Sequence, residues 1–282
     1  MKKDVALVLS SGGARGLAHI GAIEELEAQG YHITSVAGCS MGALIGGVYV
    51  AGKLGEFREW MKTVDRKKML ELTDFSFSLN HIVKGTRIIE AIMEFVPDVN
   101  IEDLPIPYCA VATDWVTGRE VVFREGSLFE AIRASISLPS FYEPVHRDGM
   151  ILIDGGVTNP IPLNRVVRNE GDILVGVDVS GHDYKAQSEM QHEIAEKRKR
   201  STSLSQQILN KLIPDNLEFN YYTMLSRVSS ILIRQNSILM AQLMKPDILV
   251  DIQMARYGGF DFDKSEKLIA IGRQKTQQAL SK

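Results

Sequence analysis

The sequence predicts an α/β fold: a mostly parallel central sheet flanked by helices on both faces, in three α/β/α layers. Two observations predict it. Apolar runs at residues 5–9, 33–37, 106–112, 151–153, 173–179 and 248–250 are continuous rather than alternating, as in strands buried on both faces. Helical patterns separate them, the signature of strands joined by crossover helices. At 282 residues and 45% apolar composition the chain can bury one large core, and a single domain over residues 1–282 is expected.

The run 5–9 reads as the first strand, being too short for a secretory h-region. It ends in Ser10-Ser11-Gly12-Gly13-Ala14-Arg15-Gly16, followed by a helical pattern (Leu17, Ile20, Ile23, Glu24, Leu26) that closes at Gly30. Successive N–H groups in such a turn form an anion-binding concavity for a phosphate or the oxyanion of an acyl transfer. A dinucleotide-binding turn is the competing reading. That reading needs an acidic residue about twenty positions on, at the end of the second strand. Ala37-Gly38-Cys39 stands there instead.

The second strand, 33–37, leads into Gly38-Cys39-Ser40-Met41-Gly42 and an apolar helical run at 43–51. A serine on a sharp strand-to-helix turn projects its hydroxyl, and the flanking glycines let strand and helix approach. The helix N-terminus favours a negative charge developing there. A glycine-rich tight turn with Ser40 as a helix cap is the bland alternative. Cys39, a rival nucleophile by composition, alternates away from the serine.

Residues 75–85 are apolar and irregular, a packed surface loop or a lid over the site. Thr86 opens a helix running to residue 96 and stopped by Pro97. After the strand 106–112, Thr113 and Asp114 either line a pocket or cap the loop, and Thr117-Gly118 turns the chain back as a hairpin strand, 120–123. The run 151–153 delivers Asp154-Gly155-Gly156 to its end, where an aspartate can serve as a base. His182, shortly after the strand 173–179, is placed as the base of a serine–histidine triad would be. His19, within the first helix, reads as a packed core residue.

Residues 182–207 turn charged, with Glu193, Glu196 and Lys197-Arg198-Lys199-Arg200. They read as a mobile solvated segment or as a basic patch drawn to anionic headgroups. In the helical pattern 219–244 an apolar stripe (Tyr221, Leu225, Val228, Ile231, Leu232, Leu239, Leu243) is expected to face the protein's own core. The last helix is expected to begin at Asp263 with Glu266 at the capping-box position, and Asp261-Phe262-Asp263 is too short for a calcium loop.

In order, Gly12-Gly13-Ala14-Arg15-Gly16, Gly38-Cys39-Ser40-Met41-Gly42 and Asp154-Gly155-Gly156 closely resemble the patatin-like phospholipase family. The resemblance extends through Leu17-Ala18-His19-Ile20-Gly21 and Ala134-Ser135-Ile136-Ser137-Leu138-Pro139. It covers a catalytic core at about residues 5–165, with a looser part, 166–282, completing the sheet and adding helices. It implies a Ser-Asp dyad with Ser40 as nucleophile and Asp154 as base. Gly12, Gly13, Ala14 and Arg15 would form the oxyanion hole, with Gly16, Gly38, Gly42, Gly155 and Gly156 as motif glycines. The implied substrates are carboxylic esters of phospholipids or lysophospholipids. Ser11 stands where the family's turn usually begins with glycine, and serine does not take a positive φ cheaply. A lipid-binding protein without catalysis remains the alternative from a different class, because fold does not imply activity.

A formal net charge of -3 argues against an electrostatically driven nucleic-acid binder. The 2 cysteines form no C-x-x-C pair, so neither a disulfide framework nor a zinc site is indicated. No cofactor or metal is expected, no run approaches the ~18 apolar residues of a membrane span, and a cytoplasmic enzyme with transient membrane-surface contact follows. The sequence does not indicate an oligomeric state.

Overall fold

The computed structural model describes residues 3–72, 86–139, 141–181, 188–189, 192, 196, 221–254, 257–258 and 261–281. Strand β1 (Lys3–Leu9) runs through a 3-10 turn (Gly13–Leu17) into α1 (Ala18–Ala28), and β2 (Tyr31–Cys39) runs directly into α2 (Met41–Val50). Helices α3 (Leu54–Lys62), α4 (Arg66–Leu72) and α5 (Thr86–Met93) precede β3 (Tyr108–Asp114) and β4 (Glu120–Phe123). Then come α6 (Leu128–Ser135), β5 (Val145–Arg147), β6 (Met150–Asp154), β7 (Ile173–Asp178), α7 (Tyr221–Met244), β8 (Ile248–Asp251) and α8 (Ser265–Leu280).

The eight strands form one sheet, ordered β5-β6-β3-β2-β1-β7-β8, with β4 paired to β3 off that path. The five strands from β3 to β8 in that order are parallel, while β4, β5 and β6 are joined by antiparallel pairings. The α/β class and the mostly parallel sheet are therefore as the apolar runs predict. Strand β1 shows why those runs are continuous: Val5, Leu7 and Leu9 join the core on one face, and Ala6 and Val8 the smaller core on the other.

Several elements differ from expectation. Strand β5 carries His146 and Arg147, too short and polar to announce itself. Helix α5 ends at Met93, before Pro97 is reached, and Val96 is delivered to the core by a turn instead. The last helix begins at Ser265 after a 3-10 turn at Phe262–Lys264, so Glu266 lies in its first turn and Asp263 is not its cap. The stripe on α7 faces outward: Leu232 is 58% exposed, Leu239 60% and Leu243 74%. The helix docks instead through Met240, Ala241 and Met244 on the smaller core, and through Arg234 and Ser237, which both donate to the buried Asp178 carboxylate at the end of β7. The side chains of Tyr221 and Leu225, the segment 75–85, His182 and the basic run 197–200 lie outside the described residues.

Helix α8 seals the face that carries α1. A Cβ on Gly21 would come within 1.9 Å of the Ile269 carbonyl oxygen, and one on Gly272 within 1.9 Å of that of Ala18. Each glycine admits the other helix's backbone, so neither clash can be relieved by turning a side chain. We expect Gly21→Ala to cost at least about 2 kcal/mol, read as a lower urea midpoint at unchanged slope. A midpoint equal to wild type would mean that the two helices separate without penalty.

Candidate active site

Ser40 is the single residue between β2 and α2, with φ 54° and ψ −122°, a conformation that costs a side-chain-bearing residue about 1–3 kcal/mol. The surroundings hold it there. Its N–H donates to Ser135 Oγ (2.8 Å), and its carbonyl accepts the Leu44 N–H (3.1 Å). Its hydroxyl makes no cap bond to the helix, which removes the helix-cap reading; instead it donates to Asp154 Oδ2 at 2.5 Å. The flanking glycines are steric requirements. A Cβ on Gly42 would lie 2.2 Å from the Leu9 carbonyl oxygen, and one on Gly38 2.4 Å from that of Gly42.

Asp154 ends β6 and is 2% exposed. The sheet explains how it reaches Ser40, a residue 114 positions away. On β3, Val111 pairs with Cys39 and Val122, and the next residue, Ala112, pairs with Asp154 and Val121. Strand β4 occupies one edge across Ala110–Thr113, so β2 and the antiparallel β6 share the other, end to end. Asp154 Oδ1 accepts the Gly156 N–H (2.7 Å), its own N–H donates to the Ser137 carbonyl (2.9 Å), and its carbonyl accepts the Thr113 hydroxyl (3.1 Å). Burial pushes its pKa up to about 6, against the lowering effect of the Ser40 and Gly156 hydrogen bonds. Gly155 is confined against the Val111 carbonyl, 2.1 Å from where its Cβ would be, and Gly156 against Ser11.

The glycine turn closes the third side. Gly13 takes the positive φ (58°) and Ser11 does not, so the serine in place of a glycine carries no backbone strain. Gly12, Gly13 and Arg15 line the same cavity as Ser40 and Asp154. Ala14 is fully buried and does not line it, while Gly16 lets the turn rest on Met41. The first N–H groups of the 3-10 turn have no acceptor within it, as at any helix start. The Arg15 guanidinium donates to the carbonyls of Gly12 (3.2 Å) and Gly181 (3.4 Å), so its charge secures the turn.

The cavity holds about 490 Å³. Its wall is largely apolar, with Leu44, Ile92, Ile136, Leu138, Phe141 and Ile233 among its residues. Helix α7 contributes Ser229, Ser230 and Ile233, which no sequence signal marked. Asp114 caps its loop by accepting from Val116, from the Thr117 N–H and from the Thr117 hydroxyl, and it does not line the cavity. His19 is fully buried with Nε2 on the Ser10 carbonyl (2.9 Å), and burial lowers its pKa to about 4. Burial likewise holds the Cys39 thiol well above its ordinary pKa, so it is no rival thiolate. Among the described residues no group of three or more His, Cys, Asp or Glu could hold a metal ion.

A family model described as patatin-like phospholipase matches residues 7–167. An uncharacterised NTE-family protein of Mycobacterium tuberculosis is 45% identical over 179 residues, which are 64% of this chain and 50% of that protein. The neuropathy target esterase sws of Drosophila melanogaster is 34% identical over 188 residues, 64% of this chain and 13% of that protein. The match thus spans half the length of the first relative and far less of the second. Among solved structures, VipD from Legionella pneumophila aligns over 99% of this chain and 67% of its own with a TM-score of 0.52; at 13% identity that is a likeness of fold.

The raised Asp154 pKa has a consequence for stability. The folded carboxyl keeps its proton up to about pH 6, the unfolded one only to about 3.9. Between those values the folded state binds more protons, so its stability falls as pH rises, by up to about 3 kcal/mol. Asp154→Asn removes this loss. Thermal melts are expected to show the variant gaining on wild type between pH 4.5 and 7.5; a variant that loses ground over that range would contradict the buried carboxylate.

Proposed function

The chain belongs to the patatin-like phospholipase family, and on that premise we propose that it is a serine acyl hydrolase, cleaving carboxylic esters of phospholipids or lysophospholipids through a Ser40–Asp154 dyad. The observation that carries the reading is the direct 2.5 Å hydrogen bond between Ser40 Oγ and Asp154 Oδ2 at the wall of a largely apolar cavity. In the proposed cycle Asp154 accepts the Ser40 proton as Oγ attacks the acyl carbonyl. The N–H groups around Gly12, Gly13 and Arg15 stabilise the oxyanion. Collapse of the tetrahedral species expels the alcohol, which takes its proton from Asp154, and a water activated by the same carboxylate hydrolyses the acyl-enzyme.

Basicity is the chemical obstacle, because an aspartate near 3.9 is a poor match for a serine hydroxyl. Burial narrows the gap by holding Asp154 at about 6. It also places the reaction where fixed dipoles act through a low dielectric. The direct contact with Asp154 favours a dyad over a relay through His182, since a relay puts an imidazole between the two. No described helix is long and apolar enough to cross a membrane, and the free, buried Cys39 and Cys109 fit a reducing compartment. We therefore propose a cytoplasmic enzyme, the whole chain acting as one α/β unit, that meets its lipid transiently at a membrane surface.

A fluorophosphonate probe should label Ser40 alone, and turnover of p-nitrophenyl esters should persist in chelator and rise with pH through an apparent pKa of about 6. Asp154→Asn is expected to cut turnover at least about a hundredfold in a folded protein, and His182→Ala to leave it within about threefold. The reverse pattern would replace the dyad by a histidine relay. Activity lost on chelation and restored by calcium or zinc would reveal a metal site.

A further inference from the structure

The segment 135–137 on the wall beside the site holds it together, and Ser135 does so through a side-chain bond that a merely packed serine would not need. Ser135 is the last residue of α6 and is wholly buried. Its hydroxyl accepts the Ser40 N–H (2.8 Å) and donates to the Val111 carbonyl (2.6 Å). Two residues on, the Ser137 carbonyl accepts the Asp154 N–H (2.9 Å), and between the two Ile136 lines the cavity. One short segment therefore grips the backbone of both members of the proposed dyad.

We propose that Ser135 is a positioning residue, whose hydroxyl locks the strained Ser40 amide to the Val111 carbonyl and so keeps Ser40 Oγ on Asp154. This rests on the serine hydrolase reading. The argument is geometric. Ser40 has a positive φ that its own side chain does not favour, so the elbow persists only while its surroundings over-determine it. Helix α2 holds the carbonyl side of Ser40 through Leu44, and Ser135 holds the amide side. Without Ser135 the Ser40 N–H would be buried with no acceptor, and rotation of the 39–40 peptide would relieve both the orphaned donor and the positive φ. That rotation swings Oγ away from Asp154, and a displacement of about 1 Å is enough to cost about a hundredfold in rate. Val111 is the right anchor, because it is the last β3 residue paired with β2 before β6 takes over the edge. The same bond directs the Ser40 N–H away from the cavity, leaving the oxyanion to the glycine turn.

The test compares Ser135→Ala, Ser135→Cys, Ile132→Val and Ser40→Ala with wild type on a soluble p-nitrophenyl ester. All rates are expressed per folded molecule at low temperature, with melting curves alongside. Ile132 is a fully buried neighbour on the same helix, so Ile132→Val reports simple loss of packing. The expected result is a kcat reduced at least about thirtyfold in Ser135→Ala with KM within about threefold, and an intermediate kcat in Ser135→Cys, whose thiol is a poorer bridge. The rate of fluorophosphonate labelling falls in parallel. Ile132→Val melts lower than wild type but keeps its kcat. Ser135→Ala with kcat within threefold of wild type would overturn the assignment, and should that variant fail to fold, the same result in Ser135→Cys would do so. If Ser40→Ala is inactive while Ser135→Ala is active, only the positioning role falls; activity intact in Ser40→Ala removes both readings.

Discussion

The site depends on how one edge of β3 is divided. Up to Val111 that edge is paired with the parallel β2, and from Ala112 it is paired with the antiparallel β6. A parallel strand leaves the edge empty where its helix departs, as β2 does at Ser40. Only a strand arriving from the opposite direction can bring its carboxyl end to that vacancy, and β6 does so with Asp154. The antiparallel pairing is thus what brings two residues from distant parts of the chain into contact without a long loop. Two glycines follow from the same geometry, since Gly42 and Gly155 each lie where a Cβ would strike a strand carbonyl, of Leu9 and Val111 respectively.

Stability is spent at this junction and recovered around it. A serine with positive φ and a carboxylate buried at 2% exposure are both unfavourable in isolation. Each is tied down by bonds that leave Ser40 Oγ and Asp154 Oδ2 facing each other: Ser135 and Leu44 on the serine, Ser137, Gly156 and Thr113 on the aspartate. The proposed base acquires its basicity from the same burial that makes it costly. Arg15 contributes in a comparable way, spending its donors on carbonyls of its own turn and of Gly181, so that the first and seventh strands' ends are joined beside the cavity.

Much of this was legible in the sequence because the signals are local. Continuous apolar runs mark strands that are buried on both faces, and glycines two residues either side of Ser40 mark an elbow. Asp154 at the end of an apolar run was equally plain as a candidate. The direction of β6 was not, because a strand carries no mark of whether its neighbour is parallel. Ser135 was visible only as part of a matched motif, since a hydroxyl that bridges two backbone groups of other strands has no local pattern. The outward stripe of α7 misled for a related reason: apolar spacing shows that a helix has a face, while Arg234 and Ser237, bonded to the buried Asp178, decide which face turns inward. Ala14 stands among the expected oxyanion-hole residues by its motif neighbours; its side chain goes to the core, because adjacent residues of a 3-10 turn point to different sides, so any part it takes is through its backbone N–H.

The close approaches at Gly21, on the Ile269 carbonyl, and at Gly272, on that of Ala18, join α1 to α8. Strand β1 has the same dependence, being flanked by β2 on one side and β7 on the other. During translation, therefore, the residues that complete the glycine turn leave the ribosome long before the strand and helix that cover them. Until β7 and α8 have been made, the nascent chain has a central strand open on one edge and an uncovered apolar helix. A fold in which the 16-residue helix α8 closes over α1 completes that face only once α8 has been made, and its folding depends on what shields the apolar surface of α1 in the meantime.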